Sequence, residues 1–390
     1  MHLLTITTYN ITIYINISIK RKNMKKLLFA LLLIAIIGCQ KEQQTSDKTI
    51  FLNESNLPPM TILEGTIVES PDSAFHPRHI VYNDSILFVI DSAPEDKFLT
   101  VYNLNNGTLI AEYYSKGEGP NEMISPIVLG RRNELWLWDI PTNKHAVMFV
   151  DSVIEKGNSY QPQNVFINSS PEGICWFSDS LVIVSNGAYF DKLDCPKEIP
   201  EFLKFDGKTG EPLQNISIND KFNPFNVTGA ALLSNPEKNL FFAGYYNTPK
   251  AAFFDTNMNL VRVFIGPEPD DAEYEIRKNG EVDLKSNYHN YEYYGNCTCD
   301  DKYIFICNCH EHNLKIKGIK DLHNFKRENS DIYVFNWEGN FIARIKSKMP
   351  YLFYGLSYCD SSKTLYATVD ENNADNERFL VKFDLSEILK

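Results

Sequence analysis

The sequence predicts an all-β protein: a six-bladed β-propeller of four-stranded antiparallel blades, with an N-terminal strand closing the last blade. Three observations lead to this fold. A short apolar strand recurs six times, an aromatic strand ending in Asp or Asn follows each copy, and turn-forming residues come next. No long segment has a convincing helical period. One such small sheet cannot bury both of its faces, so the copies must cover one another.

The first recurring element is a short, mostly apolar run. Its copies begin 46 to 63 residues apart and occupy residues 86–89, 135–138, 181–184, 240–243, 303–306 and 365–368. Runs without polar alternation are typical of strands that are buried on both faces.

A second strand follows each copy and usually ends in an aromatic residue and then Asp or Asn. These strands are 101–103, 147–151, 203–206, 252–255, 333–336 and 381–384. Turn formers come after several of them, as in 105–107 and 206–210, and a third strand such as 109–112 follows. Because Asn-Gly and Asp-Gly supply the positive φ of tight turns, each repeat is predicted to be a small antiparallel sheet.

The two ends of the chain are expected to share one blade. The sixth copy ends at Phe383-Asp384 without a convincing outer strand, whereas residues 60–68 form a spare strand before the first copy. We therefore predict that this spare strand completes the last blade and closes the ring. A two-domain β-sandwich is the alternative, and it would explain the strands but not their repeated order.

The segment before residue 60 is predicted to lie outside the propeller, which takes residues 60–390. Residues 24–38 read as a signal peptide: a cationic start, an apolar run at Leu27–Ile37 and then Gly38 before Cys39. The run is shorter than the roughly 20 residues that span a bilayer. Since Ile36–Cys39 resembles a lipobox, we expect acylation of Cys39 and attachment to the outer membrane, on its periplasmic or cell-surface side.

Two further segments flank this signal. Residues 1–23 precede a complete signal, so they are either a true extension or the result of a start codon assigned too early, and the second explanation fits the composition better. Residues 39–59 are predicted to be a flexible tether, because the polar run after Cys39 has no apolar periodicity.

Charge restricts the possible partners. The chain has a net charge of −12, and residues 1–38 hold five basic and no acidic side chains, so the mature protein is more acidic still. Nucleic acid and anionic lipid both require a basic surface. We therefore expect neither as a partner.

A family resemblance rests on the turn at residues 115–123, Ser-Lys-Gly-Glu-Gly-Pro-Asn-Glu-Met. It resembles the Gly-x-Gly-Pro-x-Glu-(aromatic or Met) turn of six-bladed, TolB-like propeller lipoproteins common in Bacteroidetes, with Met123 in place of the more usual Phe. The resemblance implies the fold and the extracytoplasmic location, but no catalytic residues. Related propellers mainly bind proteins or other ligands at the faces of the ring.

Two groups of residues near the predicted ring centre are candidate ligand-binding groups. Glu118 and Glu122 belong to the Gly-rich turn, whose simpler role is to carry the chain from the rim of one blade to the centre of the next. His76, Arg78 and His79 precede the first apolar strand and could bind an ion or anion in the channel. They could equally be ordinary loop residues.

The densest aromatic cluster is Tyr288–Tyr294. Its His289, Tyr291 and Tyr293 suit a carbohydrate or a peptide, because rings stack on apolar faces while polar tips fix orientation. The alternative is a strand whose tyrosines pack between blades.

The cysteine pairs 297/299 and 307/309 allow three interpretations: buried thiols, a disulfide between Cys297 and Cys307, or a metal site. Metal is disfavoured, because Cys-x-Cys on a strand holds the two thiols too far apart to share one ion. A three-residue loop at Asp301–Tyr303 would place Cys297 opposite Cys307, whereas a two-residue loop would place the pairs on opposite faces.

These observations favour a lipid-anchored binding or scaffold module whose partner is a protein or a glycan. We identify no catalytic residues, and we expect no cofactor and no metal. The alternative is a propeller enzyme, a hydrolase or lyase acting on sugars or lactones, with its site at the central channel.

Overall fold

One unit repeats six times around a ring: a sheet of mostly antiparallel strands that lie side by side in order from the centre of the ring to its rim. The chain divides into two units, residues 1–49 and 50–390, and the second unit contains the ring. The structure, a computed structural model, describes residues 3–8, 11–16, 48–53, 55–68, 77–83, 85–91, 97–131, 134–139, 141–142, 144–166, 171–178, 180–186, 202–216, 230–245, 250–266, 274–276, 282–284, 297–308, 331–349, 352–370 and 378–389.

The first unit contains an antiparallel hairpin of β1 (Leu3–Thr8) and β2 (Ile11–Asn16). Its strands are rich in Ile and Thr, which favour extended backbone. The hairpin forms a two-stranded sheet of its own within residues 1–23, the segment that we expect to precede the signal peptide.

Three short strands come next, and each is the last strand of a different blade. They are β3 (Thr49–Phe51), β4 (Met60–Leu63) and β5 (Thr66–Val68). We call this stretch, residues 49–68, the rim strap, because its strands pair in turn with the outer edges of blades 4, 5 and 6.

The first three blades follow in chain order. Blade 1 consists of β6 (Pro77–Asn83), β7 (Ile86–Asp91), β8 (Lys97–Asn103), β9 (Thr108–Lys116) and β10 (Glu122–Met123). Blade 2 consists of β11 (Pro126–Arg131), β12 (Glu134–Asp139), β13 (Lys144–Phe149) and β14 (Gln163–Phe166), with α1 (Val150–Lys156) and a 3₁₀ turn (Gly157–Ser159) before its last strand. Blade 3 consists of β15 (Pro171–Ser178), β16 (Leu181–Asn186), β17 (Phe202–Phe205) and β18 (Pro212–Ile216).

The last three blades each take their outermost strand from the rim strap. Blade 4 consists of β19 (Ala230–Asn235), β20 (Leu240–Tyr245), β21 (Lys250–Asp255) and β22 (Leu260–Ile265), and a hairpin of β23 (Tyr274–Ile276) and β24 (Val282–Leu284) follows it. Blade 5 consists of β25 (Cys297–Cys299), β26 (Tyr303–Asn308), β27 (Asp331–Asn336) and β28 (Phe341–Ser347). Blade 6 consists of β29 (Leu352–Cys359), β30 (Thr364–Asp370) and β31 (Arg378–Asp384).

Mutual shielding holds the ring together. Within the described part of the chain, one apolar cluster lies between each pair of neighbouring blades, and the cluster of Leu87, Val89 and Leu380 joins blade 1 to blade 6. Alternate residues of a strand serve opposite clusters: Phe88 faces blade 2 while its neighbour Leu87 faces blade 6. The innermost strands β29 and β6 also contact each other, so the ring is closed.

The predicted Asp and Asn residues close the turns after the third strands. Their side-chain oxygens accept backbone amides two to four residues later, from Asn105 to Asn103, from Lys208 and Thr209 to Asp206, from Asn257 to Asp255, and from Asn340 to Asn336. The amide of Thr209 lowers the pKa of the Asp206 carboxyl. This confirms the turn chemistry that the repeats predict.

The structure corrects the order of the strands in the predicted blades. The recurring apolar run comes first in each predicted repeat, but it is the second strand of its blade. The innermost strands precede it, and those of the first three blades begin with Pro77, Pro126 and Pro171. Proline is tolerated at the start of an edge strand, where no ladder hydrogen bond is lost.

The N-terminal strand closes the last blade as predicted, but only in part. Residues 66–68 pair with β31, whereas residues 60–63 pair in parallel with β28 of blade 5. Gly65 marks the change of blade, since a Cβ there would lie 2.3 Å from Cγ1 of Val381. The predicted tether is also too long, because β3 lies inside it and Leu52 is buried between blades 4 and 5.

Candidate functional site

The long connections of the propeller lie on one of its two faces. Connections from first to second strand and from third to fourth strand share one face, which we call the turn face. Those from second to third strand and from each blade to the next share the other, the loop face. The three longest connections, residues 187–201, 266–296 and 309–330, all join strand ends on the loop face.

The turn face is closed by short segments. The connections between the first and second strands of the six blades are residues 84–85, 132–133, 179–180, 236–239, 300–302 and 360–363. The longest connection on this face, residues 150–162, is largely helical and is anchored against blade 1, where the Tyr113 hydroxyl donates to the carbonyl of Gly157 at 2.6 Å. Binding residues in propellers and other rigid scaffolds concentrate on the connections, so the loop face is the candidate binding face.

The centre of the ring is narrow where blades 2 and 5 face each other. Cα atoms of β11 and β25 come within 8 Å across the axis. A large ligand would therefore be met at the surface of the loop face rather than deep in a channel. Arg78 and His79, two of the predicted channel residues, belong to the innermost strand β6. They lie near the end of β6 that reaches the loop face. A bulge between Pro77 and His79 interrupts the pairing of β6 with β7 there.

A lysine holds the first half of the crossing from blade 1 to blade 2, which spans residues 117–125. The Lys144 ammonium donates to the carbonyls of Gly119 (2.7 Å), Pro120 (2.5 Å) and Glu122 (2.9 Å). Three carbonyl acceptors use all three of its protons. Burial lowers the pKa of Lys144, while Asp139 and Glu122 act in the opposite direction. Its ammonium is thus a fixed structural cation of the crossing.

Asp139 holds the second half of the same crossing. Its Oδ1 accepts the amides of Ile124 (2.9 Å) and Ser125 (2.7 Å), and its Oδ2 accepts the Thr142 hydroxyl at 2.5 Å. Asp139 is fully buried and pairs across the β12–β13 hairpin with Lys144. We call these two residues the clasp. They explain why the turn at residues 115–123 takes one fixed path at the edge of the loop face.

The glycines of the crossing make room for Glu122. The Glu122 carboxylate turns back and accepts the amide of Gly119 at 2.8 Å. Gly117 has φ +153°, and a Cβ there would lie 2.1 Å from Oε2 of Glu122. The Glu122 side chain therefore stays within its own loop, whereas Glu118 is exposed on the loop face. Of the two predicted binding glutamates, only Glu118 is presented to a partner.

The comparisons with known proteins agree with this architecture. The sequence profile of the family described as TolB-like 6-blade propeller-like matches residues 67–349. The chain belongs to the TolB-like six-bladed propeller family.

Solved structures show the same fold at low identity. A provisionally named exported protein of Bacteroides fragilis has a TM-score of 0.52 and 12% identity, over 86% of this chain and 98% of its own. A member of the DUF4221 family from Bacteroides vulgatus has a TM-score of 0.50 and 12% identity, over 84% and 97% of the two chains. None of the curated proteins matches the chain.

Beneath the clasp, this TolB-like propeller buries a histidine that the sequence did not single out. His145 Nδ1 accepts the Trp136 indole N–H at 2.9 Å, and its ring stacks on Trp138 with the centroids 5.9 Å apart. Its Nε2 has no hydrogen-bond partner among the described residues. Burial lowers the pKa of His145 to about 3, so the ring is neutral. The sequence signal for this site was the pair Trp136 and Trp138, which lie on the same face of a strand that is buried on both faces.

Cys297 and Cys299 lie on one face of blade 5, and Cys307 lies on the other. Cys297 pairs with Ile306, so Cys307 points to the other side of the sheet, toward blade 6. Of the three interpretations, the disulfide between Cys297 and Cys307 is therefore wrong, and the described cysteines form no disulfide with one another. Burial raises the pKa of the Cys297 thiol, as expected for a small apolar residue.

Five predicted site residues lie outside the residues that the structure describes: Cys39, His76, His289, Tyr291 and Tyr293. The segment that carries the last three joins blades 4 and 5 on the loop face. Across the described ranges, no group of three His, Cys, Asp or Glu side chains is placed to hold a metal ion. In those same ranges, no helix has the length and apolar character needed to cross a bilayer.

Proposed function

We propose that this TolB-like propeller is exported, is acylated at Cys39 and acts as a binding module that presents its loop face to a partner protein. One observation carries the proposal: the three longest connections all leave from strand ends on the loop face, while the opposite face is closed mainly by short turns. A rigid ring that displays long segments on one side is suited to recognition by a broad surface.

Support for export comes from the signal-like segment before Cys39 and from the likeness to the Bacteroides fragilis protein that carries an export name. A protein partner is favoured because the ring centre is narrow between β11 and β25, which leaves a wide surface as the contact region. A glycan is the other candidate, because the aromatic stretch 288–294 belongs to a connection on this face.

Site-specific photo-crosslinking in intact cells tests the proposed face. A crosslinking amino acid is introduced at Glu118, exposed on the loop face of blade 1, and in a matched variant at Asn105, exposed on the turn face of the same blade. The expected result is a discrete crosslinked protein from position 118 and none from position 105.

Crosslinks from position 105 alone would overturn the choice of face. The absence of protein crosslinks at either position, together with binding of the purified propeller to glycans, would replace the partner protein with a glycan. Export and acylation are tested separately: Cys39→Ala should move the protein from the membrane to the soluble fraction.

A further inference from the structure

The rim strap fixes where the membrane tether leaves the propeller. The amide of Leu52 donates to the carbonyl of Ile265 at 2.7 Å, which attaches the strap to β22 of blade 4. Leu52 is 4% exposed and packs in the cluster between blades 4 and 5. The residues before β3 are therefore attached to the propeller at the rim of blade 4.

The remaining tether is short. Cys39 lies nine positions before Lys48, which directly precedes β3. A flexible chain of this length has a root-mean-square end-to-end distance of about 17 Å, and fully extended it spans about 32 Å. Strands lie about 4.8 Å apart, so the five strands of blade 4 and the five of the opposite blade 1 place the far rim about 40 Å away. The tether thus holds the rim of blade 4 within about 32 Å of the bilayer, whereas it allows blade 1 to lie farther away by the width of the ring.

The rim of blade 4 also exposes apolar side chains that could contact a bilayer. Phe51 on β3 is 63% exposed, and Val261 on the adjacent β22 is exposed as well. The tether carries two basic and two acidic side chains, Lys41 and Lys48 with Glu42 and Asp47, so it is neutral while the protein as a whole is acidic. A flat orientation would press more of this acidic body against the headgroups.

The geometry points to the rim of blade 4 as the membrane-proximal edge of the anchored protein, with Phe51 inserted among the lipid headgroups and the ring standing on this edge. This inference rests on the proposed acylation of Cys39. An exposed aromatic side chain close to the lipid attachment adds apolar surface that the boundary between headgroups and acyl chains can bury. In this orientation the loop face is turned sideways and remains open to a partner.

Depth-dependent fluorescence quenching tests the orientation on the full lipidated chain. A fluorescent amino acid replaces Phe51 in one variant and Leu109 in the other. Leu109 is a matched control because it is 52% exposed on the outer part of blade 1, opposite blade 4. Each protein is reconstituted in phosphatidylcholine vesicles that contain headgroup spin-labelled lipid. The expected result is several-fold stronger quenching at position 51 than at position 109.

Equal quenching at the two positions would show a flat orientation and overturn the inference, as would an unquenched fluorophore at position 51. Vesicle flotation separates these results from a failure of the proposed function. If the wild-type protein floats and Cys39→Ala does not, the proposed acylation is supported. The quenching ratio then tests only the orientation. If neither protein floats, both the anchor and the edge orientation are wrong.

Discussion

Lys144 and Asp139 pair across one hairpin of blade 2 and hold the two halves of the same blade crossing, the first through three backbone carbonyls and the second through two backbone amides. Together they bind backbone groups from Gly119 to Ser125, along most of the crossing. The path of residues 117–125 therefore depends on side chains from the following blade. This dependence makes the clasp a sensitive point of the fold.

Lys144→Met should destabilise the protein, because the carbonyls of Pro120 and Glu122 lose the ammonium donor and the Gly119 carbonyl keeps only the Glu122 amide. Unsatisfied buried acceptors of this kind typically cost about 1–3 kcal/mol in the free energy of unfolding. Denaturant unfolding monitored by tryptophan fluorescence measures the loss. Lys97→Met is the matched control, since Lys97 also begins a third strand but, among the described residues, donates only to the Ser115 hydroxyl. An equal loss in both variants would contradict the clasp.

Gly117→Ala should be more damaging than Gly107→Ala, although both glycines have positive φ. A Cβ at position 107 meets nothing within 4 Å, so only the backbone strain of about 1–2 kcal/mol is expected there. At position 117 the Cβ would also collide with the Glu122 carboxylate. Thermal unfolding of the two variants checks the order.

The collision is tested by a double-mutant cycle. Glu122→Ala removes the carboxylate, so Gly117→Ala should cost less in the Glu122→Ala background than in the wild type. Strictly additive losses of unfolding free energy would show that Glu122 does not occupy the space beside Gly117.

His145 should make the stability of the protein fall as the pH decreases below about 6.5. The unfolded chain binds a proton near the ordinary pKa of 6.5, whereas the buried native ring binds one only near pH 3. Stability is therefore complete above pH 6.5 and is lost as the pH falls toward 3, by up to about 1.4 kcal/mol per pH unit. His145→Gln should flatten this slope in unfolding measured between about pH 6 and pH 4. His79→Gln is the control, and an unchanged slope in His145→Gln would contradict the assignment.

The repeated architecture could be read from the sequence because its strongest elements bury both faces. Leu135–Trp138 and Leu181–Val184 serve two inter-blade clusters at once, so they are continuous apolar runs. The turns were readable because Asp206 and its equivalents act locally, within four residues. The innermost strands were not found, since β6 and β11 mix proline, polar and apolar residues and resemble loops.

The clasp could not be predicted, for a different reason. Lys144 binds backbone carbonyls more than twenty residues away, and carbonyls carry no sequence signature. Glu122 illustrates the same limit: its position in the crossing suggested the channel, but a local hydrogen bond to Gly119 turns it back. Residues 60–68 looked like one strand because the change of blade at Gly65 depends on the distant side chain of Val381.

The closed ring is tested most directly by a crosslink between the two ends of the chain. Thr66 and Lys382 are exposed partners on neighbouring antiparallel strands of blade 6, so their Cα atoms lie within disulfide range, about 4.5–5.5 Å. The double variant Thr66→Cys with Lys382→Cys should form a disulfide on mild oxidation, detected by peptide mass spectrometry. The control variant Thr66→Cys with Lys346→Cys, which places the second thiol on blade 5, should not. A disulfide in the control, or none in the first variant, would contradict a ring closed by the N-terminal strand.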